Sequence, residues 1–182
     1  RVRMENLRSR ISPHFTFNVL GREINQFNGS EEVKHNLMEL VKYLRRSLEL
    51  TEKLSVSLQD ELDFVRTYIE LERGRVGEDF VATVTVEDGL DATRIMIPSM
   101  IVQISVENAI KHNIATLKNP LIIRIGFTDE GIMVSNNLQL RSSVDRGGVG
   151  LGNLEKQYAL YDKAIDIVES TTEFVVRVPF LE

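Results

Sequence analysis

The sequence predicts an α+β protein: a helical hairpin, then a domain whose mixed β-sheet is covered on one face by helices. Two observations carry that prediction. Up to about residue 50, apolar residues recur at steps of three and four, the period of a helix. From Phe80 onward, stretches alternate with period two, as half-buried strands require, and helical periods return between them. The 182 residues, 42% of them hydrophobic, suffice for one large domain or two small ones, and the division is expected at residues 1–53 and 54–182.

Met4, Leu7 and Ile11 make one apolar stripe and Phe17, Leu20, Ile24 and Phe27 another, so residues 1–27 read as a helix that changes phase and bends at Pro13. Asn28, Gly29 and Ser30 form a turn. Ser30 is a natural N-cap, and Glu31 and Glu32 suit the positive end of a second helix carried by Val33, Leu37, Leu40, Leu44 and Leu48. A lone hairpin leaves much of its apolar face wet, so two copies are expected to form a four-helix bundle as a homodimer. Ser57 and Asp60 have capping-box spacing ahead of Leu58, Leu62, Val65 and Ile69, which predicts a third helix. Phe80, Ala82, Val84 and Val86 alternate as a strand. Pro98 is expected to open a helix through about His112. Residues 121–127 and 132–136 form a hairpin across Asp129, Glu130 and Gly131, and an alternating strand through Phe174, Val176, Val178 and Phe180 pairs with residues 164–168.

Composition narrows the function. A net charge of −5 argues against a broad nucleic-acid surface, which needs clustered Lys and Arg. The absence of cysteine removes disulfides and thiolate metal sites and fits a cytoplasmic address. No apolar run approaches the roughly 18 residues that span a bilayer, so a membrane link is expected only through segments outside this sequence. Arg1, Arg3, Arg8 and Arg10 accord with the cytoplasmic side of such a link, although a solvated helix face is the preferred reading of them.

Three strings carry chemistry. In QISVENAIKH, residues 103–112, helical spacing brings Ile104, Asn108, Lys111 and His112 toward one face. An amide oxygen on Mg²⁺ and an ammonium one turn away suit a magnesium triphosphate. An Asn–Lys pair alone is usually a surface accident. The glycine cluster GGVGLGN at 147–153 changes the weighting, because its backbone N–H groups at a helix start can approach phosphate with no Cβ in the way. In PHFTFN at 13–18, His14 follows the proline and is exposed to chemistry, whereas His35 reads as a solvated helix position.

Together with SLQDELDFVRTYIELERGR and IPSMIVQISVENAIKH, these strings resemble the cytoplasmic kinase core of a two-component sensor histidine kinase of the LytS/YehU type over nearly the whole chain. The resemblance implies a GHKL-type ATP-binding α/β sandwich and autophosphorylation of His14, followed by transfer to an aspartate of a response-regulator receiver domain. It implies Asn108 as magnesium ligand and Lys111 with His112 beside the phosphates or ribose. It also implies a lid through Gly148, Gly150, Leu151, Gly152 and Asn153. Residues 1–53 would be the dimerisation and phosphotransfer hairpin and 54–182 the catalytic domain, the cytoplasmic part of a membrane-anchored sensor. Where the family has an Asp-x-Gly string for adenine, this chain has Asn136, Asn137 and Leu138. A neutral Asn136 accepts a weaker hydrogen bond, so lower nucleotide affinity is expected.

An imidazole is a competent nucleophile, and phosphoryl transfer needs positioning and charge neutralisation more than covalent help. Asn18, one turn after His14, can fix the imidazole tautomer or orient a water for hydrolysis of a phosphorylated regulator. Hydrolysing relatives carry a glutamate where this chain has Ile104, which disfavours rapid ATP hydrolysis. Glu107, about 100° around the helix from Asn108, is the lesser candidate for polarising the nucleophile. The alternatives to a kinase are a nucleotide-impaired dimeric scaffold and a net response-regulator phosphatase.

Overall fold

A computed structural model describes residues 13–76, 79–141 and 149–181. At 13–19, 74–76, 149–151, 153 and 157 only the backbone is described. The apolar stripe of Met4, Leu7 and Ile11 and the bend at Pro13 therefore lie outside the described residues. The chain divides into two compact units, Arg1–Glu52 and Lys53–Glu182.

The first unit is a helical hairpin, α1 (Pro13–Gln26) and α2 (Glu31–Thr51), joined by the short turn the sequence predicts. Ser30 caps α2 by accepting the Val33 N–H at 3.3 Å, and Glu31 and Glu32 occupy its first turn, where acidic side chains complement the helix dipole. Ile24 of α1 and Val41 of α2 are buried together with Leu37 and Met38 packed around them. The remainder of the apolar stripe stays in solvent: Leu20, Phe27, Val33, Leu40, Leu44 and Leu48 are each 40–46% exposed.

In the second unit, β1 (Ser55–Ser57) leads directly into α3 (Leu58–Val76), and Ser57 Oγ accepts the Asp60 N–H at 3.1 Å. The first amides of α3 are met by a distant loop, Leu58 N–H on Ile95 O at 2.8 Å and Gln59 N–H on Ala92 O at 2.9 Å. Next come β2 (Phe80–Val86), β3 (Met96–Pro98) and α4 (Ile101–His112). The chain continues through β4 (Leu121–Thr128), β5 (Gly131–Asn137), α5 (Val149–Ala159), β6 (Asp166–Glu169) and β7 (Glu173–Val178). A five-stranded sheet runs β2-β4-β5-β7-β6, with β2 parallel to β4 and the other neighbours antiparallel. Because β2 and β4 are parallel, a crossover must join them, and α4 is that crossover. The helices cover the face carrying Phe80, Ile123, Ile125, Val134 and Val176, all buried, along with Leu154 and Tyr158 of α5. The α+β class with a mixed sheet is thus the one expected.

One local expectation is corrected. Pro98 does not open the helix. It ends β3, which pairs antiparallel with β1 through Ser55↔Pro98, and α4 begins at Ile101 after a turn. Proline fits either place because both tolerate a missing N–H. β1 and β3 themselves are three residues each, too short to show a period.

The β4–β5 turn depends on Gly131, whose φ of 133° is open to glycine alone and whose Cβ, were there one, would run into the Val178 carbonyl oxygen. Gly131→Ala should therefore destabilise the second unit by about 2 kcal/mol or more, read as a lower urea midpoint at unchanged slope. A midpoint within error of the original would contradict the assigned turn.

Candidate functional site

α4 lies against β4 and β5 of the sheet, with α3 and α5 packed beside it. Ile101, Val102, Val106 and Ala109 are buried, Glu107 and Lys111 are exposed, and Ile104, Asn108 and His112 stand half-buried between the two. Asn108 therefore sits on the rim of the core, and its Nδ2 is buried with no hydrogen-bond partner among the described residues. A buried amide without a partner costs about 1–3 kcal/mol. Which end of the amide is nitrogen follows from side-chain placement, so a 180° flip offers Oδ1 to a cation from the same position. The half-burial of His112 and the neighbouring Lys111 charge, in that order, lower its pKa and favour neutral imidazole.

The N-terminal end of α4 is closed by a residue of another helix. No side chain of its own caps it, and Met100, the residue before its first turn, has a left-handed φ of 67°. Instead Glu61 of α3, fully buried, accepts three backbone N–H groups: Met100 at 3.1 Å on Oε2, and Val102 at 2.9 Å and Gln103 at 3.2 Å on Oε1. Burial pushes the Glu61 carboxyl up to about 7, against the opposing pull of these three donors. Tyr158 of α5 is also fully buried and donates its hydroxyl to Pro179 O at 2.9 Å. Burial first, and the Glu61 charge second, push its phenol well above the usual range.

The other end of α4 is fastened to the chain that leads into the glycine cluster. Asn113 is buried, donates Nδ2 to Ala109 O at 2.8 Å, and accepts the Gln139 N–H on Oδ1 at 2.7 Å. Arg141 donates Nε to Asn113 O at 2.9 Å and its backbone N–H to His112 O at 3.0 Å. Lys111 and His112 occupy the last turn, where cationic groups complement the negative end of the dipole.

Asn136 is 2% exposed and lies opposite Ile123 and Phe174, on the helix-covered face of the sheet. Its Nδ2 donates to Asn137 O at 2.8 Å. The side chain of Asn137 seals the start of β4, because its Oδ1 accepts the Ile122 N–H at 2.8 Å and its Nδ2 donates to Pro120 O at 3.0 Å. Gly150, Leu151, Gly152 and Asn153 form the first turns of α5, and among the described residues no atom outside the helix's own backbone lies within 4 Å of where a Cβ of Gly152 would stand. Gly148 lies outside the described residues. His14 and Asn18 belong to α1, in the other unit, and only their backbone is described.

The structure thus brings Asn108, Lys111, His112 and Asn136 onto adjoining elements, with α5 packed on α4. Sequence reasoning passed over Glu61, Asn113 and Asn137. For Glu61 a signal existed: it stands three residues after Leu58 and four before Val65, a carboxylate inside an apolar helical stripe. The two asparagines gave none, because the Ile122 N–H that Asn137 meets is 15 residues away and the Gln139 N–H that Asn113 meets is 26 away.

Residues 2–80 match the family model described as histidine kinase. Over 170 residues the chain is 28% identical to the sensor histidine kinase/phosphatase LytS of Staphylococcus aureus strain MRSA252, and equally to that of strain N315. The match covers 92% of this chain and 28% of the relative, so the chain spans little more than a quarter of those proteins. Among solved structures, the histidine kinase AdeS of Acinetobacter baumannii aligns over 92% of this chain and 95% of that one, with 12% identity and a TM-score of 0.44. Full-length ShkA in complex with AMPPNP aligns over 92% and 44%, with 18% identity and a TM-score of 0.46. Among the described residues no helix is long and apolar enough to cross a membrane. The resemblance to LytS-type sensor kinases read from the sequence is borne out.

One consequence concerns pH. The folded chain holds a proton on Glu61 up to about pH 7, while the unfolded chain releases it near 4.5. The folded state therefore binds more protons across that window, and its stability falls as pH rises from about 4.5 to about 7. Glu61→Gln removes this dependence. The unfolding free energy of the original chain relative to the variant should drop by something on the order of 3 kcal/mol from pH 4.5 to 7, measured by urea denaturation. A difference independent of pH would contradict the assigned environment.

Proposed function

We propose that this chain, similar to LytS along most of its length, is the kinase core of a sensor of that type. It moves the γ-phosphoryl group of ATP to His14 and then to an aspartate of a response-regulator receiver domain. One observation carries the reading: the buried amide of Asn108 on the rim of α4, which has no partner for its Nδ2 among the described residues. An orphaned amide at that place fits a magnesium triphosphate, which supplies both an acceptor for Nδ2 and, after a flip, a hard cation for Oδ1. Magnesium, when bound, offsets phosphate charge and orients the triphosphate.

The chain's own residues supply the rest. Lys111, exposed beside Asn108 at the end of α4, neutralises phosphate charge, and neutral His112 is free to hydrogen-bond ribose or phosphate. Asn136 commits its Nδ2 to Asn137 O, which leaves Oδ1 to accept the adenine amino group. Gly150, Gly152 and the backbone around Leu151 and Asn153, at the start of α5, offer N–H groups to phosphate, with Gly148 just before them. A lone pair on one imidazole nitrogen of His14 forms the P–N bond as the bond from the γ-phosphorus to its bridging oxygen breaks, and ADP departs with that electron pair. Asn18 holds the other ring nitrogen in its protonated form, and Glu107 has the lesser part of polarising the nucleophile. The solvent-facing leucines of the hairpin supply the seam of a homodimer. The place of action is the cytoplasmic side of a membrane-anchored sensor.

A second reading is favoured by the name of the relatives, sensor histidine kinase/phosphatase: with Asn18 orienting water, the same hairpin removes phosphate from the regulator.

Incubation with γ-labelled ATP and Mg²⁺ should give acid-labile, base-stable label that is absent in His14→Ala and reduced about tenfold or more in Asn108→Ala. No label and no nucleotide binding at millimolar ATP would overturn the kinase reading. Gly152→Ala offers a separate check. Alanine favours the helix by up to about 1 kcal/mol and meets no atom there, so thermal stability should hold or rise while nucleotide affinity falls several-fold. Unchanged affinity, by isothermal titration, would remove Gly152 from the phosphate site.

A further inference from the structure

We propose that Glu61 is a positioning residue for the nucleotide site: by capping the sealed N-terminus of α4 from α3, its carboxyl fixes where Asn108 stands. The proposal rests on the nucleotide reading of Asn108 given above.

The start of α4 is tied to that carboxyl. Val102 and Gln103 are buried and Met100 half-buried, and α4 has no capping side chain of its own. All three backbone N–H groups converge on the two oxygens of Glu61, at 3.1, 2.9 and 3.2 Å. The Met100 bond also holds a non-glycine residue at a left-handed φ of 67°, a conformation that persists only where its surroundings impose it. Asn108 lies five residues beyond Gln103 on the same continuous helix, so a shift of the capped end along the axis moves Asn108 with it. Glu61 is itself anchored. It lies one turn into α3, whose start is held by Ser57 and by the carbonyls of Ala92 and Ile95. β1, just before it, is paired with β3, just before α4. The carboxyl thus sits in a closed frame of β1, α3, β3 and α4. Among the described residues, the titratable group whose pKa Glu61 is seen to raise is Tyr158 of α5, bonded to Pro179 O.

Glutamine tests the role with almost no change in volume. Its Oε1 can still accept from Val102 and Gln103, but its Nε2 is a donor and opposes the Met100 N–H. A purely structural role predicts lower stability and an unchanged site in whatever fraction is folded. A positioning role predicts a folded protein whose site has lost its Mg²⁺-dependent affinity.

The experiment is a double-mutant cycle on the full chain at pH 8: Glu61→Gln, Asn108→Ala and the pair, each verified as folded by circular dichroism. The affinity for a fluorescent ADP analogue is measured with Mg²⁺ and with EDTA. The expected result is an approximately tenfold loss in Glu61→Gln with Mg²⁺, a much smaller loss with EDTA, and no further loss when Glu61→Gln is added to Asn108→Ala. Glu61→Asp, which keeps the charge but is one methylene shorter, should fall between the two and carries the same cycle should the glutamine variant not fold. Losses that add in the double variant, or an unchanged Mg²⁺-dependent affinity in folded Glu61→Gln, would overturn the positioning role and leave the nucleotide site standing. Failure of the original chain to bind the analogue with Mg²⁺ would instead overturn the nucleotide reading.

Discussion

A helix sealed inside a protein cannot leave its terminal amides and carbonyls to water, and the second unit is organised around meeting that demand at both ends of α4. At the start, one carboxyl from α3 accepts three N–H groups. At the finish, Asn113 and Arg141 tie the last turn to residues 139–141. With both ends satisfied from outside, the helix holds a fixed height between the sheet and its neighbouring helices. On its rim, Asn108 Nδ2 is a buried side-chain atom left unmet among the described residues, and the proposed nucleotide site is built on it.

The same fastening explains how distant stretches of sequence can serve one site. The chain from β5 passes over the end of α4 before the glycine cluster begins. Residues 139–141 are therefore fixed relative to Lys111 and His112 by Asn113, Gln139 and Arg141. Asn136, one strand away, is kept on the core face by its register with Ile123 and Phe174. The hairpin of α1 and α2 is built on a different principle. Its small buried cluster around Ile24 and Val41 closes only part of its apolar stripe, and the leucines left in solvent are what a second copy would cover.

What could be read in advance was local. Ser30 and Ser57 each cap a helix three residues ahead, and Gly131 closes a turn between two alternating runs, so a window of a few residues contains both the cause and the effect. Pro98 shows the limit of such windows. Its missing N–H is tolerated at the end of β3 as well as at a helix start, and only pairing with Ser55 decides between them. The face of α4 bearing Asn108 followed from helical period and from the resemblance of its string. What holds that face in place did not, because Glu61 and Val102 are 41 residues apart and Asn113 and Gln139 are 26 apart. A carboxylate among Leu58, Leu62 and Val65 was the one visible sign of a long-range bond. It named a need for donors without saying which backbone would supply them.

Held at both ends, α4 keeps Asn108 at a fixed place on the rim of the core, and on that placement the proposed chemistry depends. The most direct measurement is a titration of isotopically labelled protein with a non-hydrolysable ATP analogue and Mg²⁺, followed through amide resonances. The Asn108 side-chain amide and the backbone amides of residues 149–153 should shift together along one saturable binding curve, with Asn136 following. Saturable shifts confined to the hairpin, or an Asn108 side-chain amide that stays still while the analogue binds, would contradict that placement.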